Sequence, residues 1–571
     1  MRVFLPFLSH EITISSGKKV QEKRSCALFV FSVLFVCAVI SMKITGFRIS
    51  TLVKRGGQFW TILTRMFPPD FSYLPSIWKP LLDTVKMSII GSVTGSLLAF
   101  PAAAAASSNM VKNRAVVILF RFLFSLLRTI PTLITALVVT FIFGLGTRAG
   151  TTAIAVFTFS YVGKLLYEKI ETVDMSPFMA MLSLGCTKTK AFILSVIPQV
   201  LPFYLSSCLY CFEGNMRCAS VLGYVGAGGI GLILNSQIGL RNYPRVGMIL
   251  VVLFFSVVIT EHVSGFLRKR LLKGRSGSAS MTGMTKEEIL HSRGKGFFFP
   301  AVFAASLAVV LWSSSVLSGR GGSEVNSLAV AGSIIHGLFH PDTSLLFSFS
   351  TDGVPYLLLE TLSIAFLGTL IGALISIPLA FLSSSNMTVR PVAAAVRTFV
   401  MAVRTVPAFV YGLMFIRVTG PGPFAGVLTM SVCSIGMISR VFSEVVEEMD
   451  RGILESLSAA GCSTLCKIRF GVIPQLASSF MSILIYRFDM NLRDTAVLGL
   501  VGAGGIGAPL VFAINGYKWS QAGAVLLGLV SLILVVEYLS SGIRTRLAGK
   551  RGCPSSRLQR SHCRFTPKGR P

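Results

Sequence analysis

Acidic residues are scarce in this chain and charge of any kind is sparse. Asp and Glu number 23 against 53 Lys and Arg, and charged residues fill only 13% of the 571 positions. A soluble domain carries about 25% charged residues, so a soluble globule is excluded. The 53% hydrophobic content excludes a basic disordered chain. A formal net charge of +30 taken alone suits nucleic acid, but nucleic-acid binding does not explain so apolar a chain. A polytopic membrane protein accommodates both properties, because Lys and Arg gather in the cytoplasmic loops and tails that fix orientation. The lipid bilayer is therefore the expected partner, and nucleic acid is not.

Signatures of chemistry are missing as well. The sequence contains no G-x-x-x-x-G-K-[ST], so the chain cannot cradle ATP phosphates in a P-loop of its own. It has no HExxH, no Ser-His-Asp set, and no cluster of carboxylates within its apolar runs. The eleven cysteines are scattered, mostly through apolar stretches, and Cys208-x-x-Cys211 lacks a second pair or a nearby His. Neither enzyme, metal centre nor cofactor within the chain is expected, which leaves transport or a structural role.

What the sequence does contain is a repeat. Val221-Leu222-Gly223-Tyr224-Val225-Gly226-Ala227-Gly228-Gly229-Ile230-Gly231 recurs as Val497-Leu498-Gly499-Leu500-Val501-Gly502-Ala503-Gly504-Gly505-Ile506-Gly507, a displacement of 276 positions from Gly226 to Gly502. The same displacement pairs Arg128-Thr129-Ile130-Pro131 with Arg404-Thr405-Val406-Pro407, and Val196-Ile197-Pro198-Gln199 with Val472-Ile473-Pro474-Gln475. Upstream it becomes 277, pairing Thr84 with Thr361 and Ser107-Ser108-Asn109-Met110 with Ser384-Ser385-Asn386-Met387.

A helical crossing takes about 20 apolar residues. Six such runs fit in each half, near 26–44, 78–105, 115–143, 149–165, 190–212 and 244–267, and near 297–318, 355–383, 391–417, 422–440, 470–488 and 521–543. The first lacks the short apolar stretch and small-residue exit of a cleaved signal. Basic residues crowd the first 25 positions, the linker between the halves and the tail beyond Ile543, which carries nine Lys or Arg and no acid. The positive-inside rule places all three on the cytoplasmic side. The resulting organisation is a cytoplasmic segment 1–25, a first domain 26–270, a linker 271–296, a second domain 297–546 and a tail 547–571. With an even number of spans per half, the repeat is parallel. The stretch from Lys43 to Arg65, assigned outside, carries five basic residues and is compatible with an interfacial helix.

Gly226-Ala227-Gly228-Gly229-Ile230-Gly231 and its copy from Gly502 match G-x-G-x-x-G, but neither follows a strand in a βαβ unit, which excludes the dinucleotide reading. Non-helical backbone at membrane depth is tolerated only inside protein or beside a wet cavity. Gly226, Gly228, Gly229, Gly502, Gly504 and Gly505 therefore either bend beside a pathway or allow tight helix packing. Between the fourth and fifth spans, Glu455-Ser456-Leu457-Ser458-Ala459-Ala460-Gly461 stands thirteen residues ahead of Pro474, and Gly185 stands thirteen ahead of Pro198. This loop resembles the E-A-A-x3-G-x9-I-x-L-P elbow by which permeases of binding-protein-dependent ABC importers dock into the ATPase. With the R-[ST]-[IV]-P, Pro-Gln, acid-x-Asn-x-Arg and V-L-G-x-V-G-A-G-G-I-G stretches, the chain resembles two phosphonate-type permeases fused end to end.

The acid-x-Asn-x-Arg stretches, Glu213-Gly214-Asn215-Met216-Arg217 and Asp489-Met490-Asn491-Leu492-Arg493, are the most informative polar groups in the spans. Arg217 stands nineteen residues beyond Pro198, about 28 Å of helix, which places it near the outer side. Arg217 and Arg493, with Asn215 and Asn491, would then meet an oxyanion, since guanidinium matches phosphonate or phosphate geometry. The competing reading is an i,i+4 ion pair within each helix. Pro131 and Pro407, three positions past Arg128 and Arg404, are expected to kink the third spans; the two arginines have no evident partner, and Glu261 and Glu537 read as interface anchors.

The resemblance implies an all-α, twelve-span type I ABC importer permease of the inner membrane. It further implies two copies of a separate ATPase binding ATP-Mg, a soluble extracytoplasmic binding protein, and no permease homodimer, because one chain holds both halves. Ala180, Gly185, Pro198, Glu455, Gly461 and Pro474 would form the coupling elbows, although Met179 stands where Glu455 stands in the other half. The rival is a proton-coupled secondary transporter with two parallel six-helix halves, which requires mid-span acids, and none is read near mid-span here.

Overall fold

Apolar runs of this length leave the backbone few choices in lipid, because each N–H and C=O must be bonded within its own segment, and the helix achieves this. A computed structural model describes residues 9–13, 19–23, 27–273, 308–315, 327–449, 451–463 and 466–549. Ahead of the helices stands a short antiparallel hairpin of β1 (Ser9–Thr13) and β2 (Lys19–Lys23). The first half comprises α1 (Ala27–Thr45), α2 (Ile49–Arg65), α3 (Leu74–Ala106), α4 (Arg114–Thr129), α5 (Thr132–Phe143), α6 (Thr147–Glu171), α7 (Ser176–Ser183), α8 (Ile197–Leu222), α9 (Ile230–Gly239) and α10 (Tyr243–Lys273). The second comprises α11 (Ser327–Phe339), α12 (Val354–Ser383), α13 (Arg390–Thr405), α14 (Ala408–Thr419), α15 (Pro423–Glu447), α16 (Arg451–Ala459), α17 (Ile473–Leu498), α18 (Gly507–Asn515) and α19 (Trp519–Gly549).

Seven of these segments are long and apolar enough to cross a membrane singly, and three bent pairs bring the number to ten among the described residues. α17 is not one of the ten; it carries Arg487, Asp489, Arg493 and Asp494. The expected span at 297–318 lies mostly outside the described residues. Two expectations are corrected. The third span of each half is not one helix: α4 and α5 meet at 92° and α13 and α14 at 84°. Pro131 and Pro407 follow the breaks, where a missing N–H and the restriction on the preceding residue end a helix. The first span also does not stop near residue 44 but turns by 63° into α2.

Within each half, α3 and α6, or α12 and α15, run parallel in close contact. A side chain on Gly91 would reach Ile154 Cγ2 at 2.6 Å, and one on Gly368 would reach Met430 Cβ at 2.4 Å. Small residues bring the helices this near because lipid offers no hydrophobic drive to press them together. Between halves the opening helices are exchanged. Ala38 of α1 is buried with Leu367 and Leu428, Phe47 meets Phe424 at 4.9 Å, and Phe59 stacks on Phe415 at 4.8 Å. Reciprocally, α11 packs on α19 of its own half and reaches α5 of the first, and Lys86 of α3 donates to Ser315 Oγ at 3.0 Å and lies 4.5 Å from the Trp312 ring.

Candidate functional site

The two glycine runs are left-handed bends. Gly226, Gly228 and Gly229 have φ of 81°, 79° and 74°, and Gly502, Gly504 and Gly505 have 80°, 79° and 78°, a region open to glycine at little cost. Their amides are bonded to neighbouring helices: Ile230 N donates to Thr84 Oγ1 at 2.8 Å, Ile506 N to Thr361 Oγ1 at 2.9 Å, and Gly505 N to Glu360 Oε1 at 2.7 Å. The bends are also tightly packed, since a side chain at Gly504 would strike Pro423 Cα at 2.5 Å. Beside the bends the halves meet: Tyr224 Oη donates to Leu500 O at 3.3 Å, and Val221 and Val225 cluster with Val497 and Leu500.

Asn215 and Asn491 face neither the other half nor open space. Each is fully buried, and its amide donates twice within its own half: Asn215 to Ser92 Oγ and Thr158 Oγ1, both at 2.8 Å, and Asn491 to Thr369 Oγ1 at 2.7 Å and Ser434 Oγ at 2.8 Å. These contacts also correct the depth of Arg217. Ser92 and Thr158 lie near the middles of α3 and α6, so Arg217 sits about halfway along the bundle rather than at its outer rim. The rise from Pro198 was sound, but α9 and the first turns of α3 and α10 extend the molecule beyond the end of α8.

Around these arginines lies a cluster that occurs twice. Glu213 accepts from Arg217 at 3.2 Å and Arg268 at 3.3 Å, with Arg404 of the second half at 3.7 Å. Glu261 pairs with Arg404 at 2.9 Å and Arg440 at 2.6 Å. In the mirror cluster Asp489 pairs with Arg493 at 3.4 Å, while Glu537 pairs with Arg493 at 3.4 Å, Lys164 at 3.2 Å and Arg128. Every position has its counterpart 276 residues away, and cation meets carboxylate across the halves in both. The expected i,i+4 pairs therefore exist but are shared, and Glu261 and Glu537, read as interface anchors, are the missing partners of Arg404 and Arg128. The acids whose mid-span absence stood against a proton-coupled transporter are present, and each is held by cations.

Cations outnumber the carboxylates they pair with in both clusters, Arg217, Arg268, Arg404 and Arg440 against Glu213, Glu261 and Glu444 in the first, and Arg128, Lys164 and Arg493 against Asp489 and Glu537 in the second. The side chains are not sealed in, with Arg217 at 24% and Arg493 at 16% exposure. The Nε atoms of Arg128, Arg268 and Arg493 are buried donors without a hydrogen-bond partner. Three ion-paired guanidinium groups at mid-depth thus each keep one Nε–H to spare.

At the far end of α6 stand the elbows. In the first, Asp174 Oδ1 accepts from Ser176 N at 2.9 Å and opens α7, and these bonds hold its carboxyl below the usual carboxylate range. Gly185 turns the chain out at φ 83°, and a π turn, Phe192–Val196, leads into α8 with Pro198 in its first turn. The second repeats this with α16, Gly461 at φ 75°, the π turn Lys467–Val472 and Pro474 in the first turn of α17. Phe178 is buried against the bundle, whereas Met179, Ala180, Gly185, Glu455 and Gly461 are exposed. The repeated Ser-Ser-Asn-Met, without a role in the reading of the sequence, ties each elbow to its bundle. Glu171 bonds Ser108 and Arg121 while Asn109 Nδ2 donates to Ile170 O at 2.8 Å. Glu447, Ser385, Arg397 and Asn386 repeat the lock.

Two homologous all-helical halves, each with a bent third span and an exposed elbow, define a membrane permease rather than an enzyme. The chain belongs to the binding-protein-dependent transport system inner membrane component family, which it matches twice, over residues 91–273 and 352–550. It is 27% identical over 512 residues, covering 89% of this chain and 93% of the relative, to the phosphate-import permease protein PhnE of Mycolicibacterium smegmatis. It is 34% identical over 188 residues, 33% of this chain and 68% of the relative, to the phosphite transport system permease protein PtxC of Stutzerimonas stutzeri. Among solved structures, the inward-facing MetNI methionine ABC transporter aligns at a TM-score of 0.30 with 22% identity, covering 33% of this chain and 94% of that one.

Proposed function

We propose that this chain forms the whole translocation path of an ATP-driven importer for phosphonate or a related small oxyanion such as phosphate or phosphite. The observation that carries the reading is the doubled cluster, in which cations exceed carboxylates midway along the bundle. Relatives named for phosphate and phosphite transport support the same chemistry. Domains 26–270 and 297–546 supply the two walls, so no permease homodimer is required, and both termini lie on the cytoplasmic face of the inner membrane.

Two copies of a separate ATPase, which binds the ATP-Mg, dock on the elbows through Ala180, Gly185 and Pro198 in one half and Glu455, Gly461 and Pro474 in the other. A soluble binding protein delivers the anion at the opposite end. ATPase closure moves the elbows, and the Glu171 and Glu447 locks pass that movement to α3, α6, α12 and α15. The bends at Gly226, Gly228 and Gly229 and at Gly502, Gly504 and Gly505 part with the apolar contact beside them, and Arg217 and Arg493 receive the anion in place of part of their carboxylate bonding. Asn215 and Asn491 hold helices together rather than touch the substrate. Each nucleotide state favours one arrangement.

The test is substrate-stimulated ATPase activity of the assembled transporter with its binding protein, across phosphonate, phosphate, phosphite, sulfate and a set of amino acids. Stimulation by a phosphorus oxyanion is expected; stimulation by an amino acid instead, with none by any oxyanion, would overturn the substrate class.

A further inference from the structure

The charge pattern at mid-depth respects the repeat, but at the end of the bundle opposite the elbows it does not. There α2, the α9–α10 turn and α14 of the other half enclose a cavity of about 490 Å³ edged by Arg65, Arg241 and Arg417. All three are exposed, and none has a carboxylate partner among the described residues. The equivalent place in the other half is built the same way. Ile62 and Ile334 are both buried, Asp70 N and Asp342 N donate to Pro244 O and Ser520 O, and Arg241 and Tyr517 share the left-handed turn at φ 60° and 55°. On that register Gly337, Tyr517 and Phe141 stand at the positions that Arg65, Arg241 and Arg417 occupy in the first site. Phe141 packs edge-on against Tyr517 and Trp519 at 5.6 and 5.7 Å, and the cavity there, about 630 Å³, carries one acid and one lysine, Asp342 and Lys518.

The fold therefore does not need the arginines, since the same backbone is completed on the other side by aromatic rings. Three like charges around one cavity repel one another and gain only when an opposing charge arrives. We propose that Arg65, Arg241 and Arg417 form a one-sided docking surface for an acidic lobe of a soluble protein. A partner without twofold symmetry would otherwise meet a pseudo-twofold transporter in two equivalent orientations, and charge on one side alone selects one of them. Two identical permease chains could not carry such a difference; a fused pair can. This rests on the importer reading, in which the docking protein is the one that delivers the anion.

The test uses the complete transporter in lipid nanodiscs, with its anion-delivering binding protein as probe and affinity measured from about 50 to about 300 mM salt, a range over which surface charge is progressively screened. The triple variant R65E/R241E/R417E should weaken docking at least about tenfold at low salt and flatten the salt dependence. Basal ATPase activity should be unchanged, and R417Q alone should give a smaller loss in the same direction. Unchanged affinity and salt slope in both variants overturn the surface. So does a loss confined to inorganic phosphate or to anionic lipid vesicles, with protein docking intact. If the unaltered transporter does not bind the protein at all, the importer reading itself fails.

Discussion

Arg404 and Arg128 each reach across the molecule to a carboxylate of the opposite half, Glu261 and Glu537. The repeat marked them as a pair and the proline three positions on marked a break, yet their partners, Glu261 and Glu537, lie 143 and 409 positions away in the opposite half. No spacing rule reaches that far, whereas the i,i+4 pairs at Arg217 and Arg493 were legible because helix geometry dictates them. Asn215 was misread for a related reason: its partners, Ser92 and Thr158, belong to other helices. Removing Arg404 leaves Glu261 with Arg440 alone and takes one of three cations from beside Glu213. Arg404→Ala is expected to destabilise the assembled chain by about 1–3 kcal/mol, below the cost for a fully buried pair because the side chain keeps 18% exposure. Thermal unfolding in detergent measures it. A double-mutant cycle of Arg404→Ala with Glu261→Ala should show coupling above about 0.5 kcal/mol, and additive losses would remove the cross-half pair from the account.

Helices were the most legible level, because apolar runs of spanning length admit little else. The bends were half legible: Pro131 and Pro407 announced a break, but 92° and 84° follow from packing that no local sequence states. The elbows were legible in their punctuation, glycine then proline thirteen residues on, while the Glu171 and Glu447 locks were visible only as an unexplained Ser-Ser-Asn-Met. At Gly461 the φ of 75° leaves open space where a side chain would sit, so Gly461→Ala costs about 1 kcal/mol of backbone strain without a clash. Its expected effect is a loss of ATPase coupling with little change in the chain's melting temperature; loss of both together would make Gly461 merely structural. Glu447→Gln should uncouple ATP hydrolysis from transport more than it lowers hydrolysis, as read from the ratio of anion taken up to ATP consumed.

At the scale of the molecule the repeat predicted two homologous halves, but not that they exchange their opening helices. α1 lies on α12 and α15 of the second half and residues 308–315 reach α3 of the first, while α2 and α11 bridge the halves, α2 against α14 and α10 and α11 against α19 and α5, so each half leaves part of its own core uncovered when alone. Severing the chain between the halves and co-expressing both parts should therefore yield a complex that copurifies and retains transport, whereas either half alone should fail to accumulate in the membrane. Transport-competent assembly of one half by itself would show that the exchange is dispensable. The central claim, that ATP-driven movement of two elbows carries an oxyanion past a doubled arginine cluster, is tested most directly by uptake of labelled phosphate or phosphonate into proteoliposomes holding this chain, its ATPase and its binding protein. Uptake that requires ATP, and that Arg217→Gln with Arg493→Gln reduces at least about tenfold, is the predicted result; uptake driven by a proton gradient with the ATPase absent would contradict it.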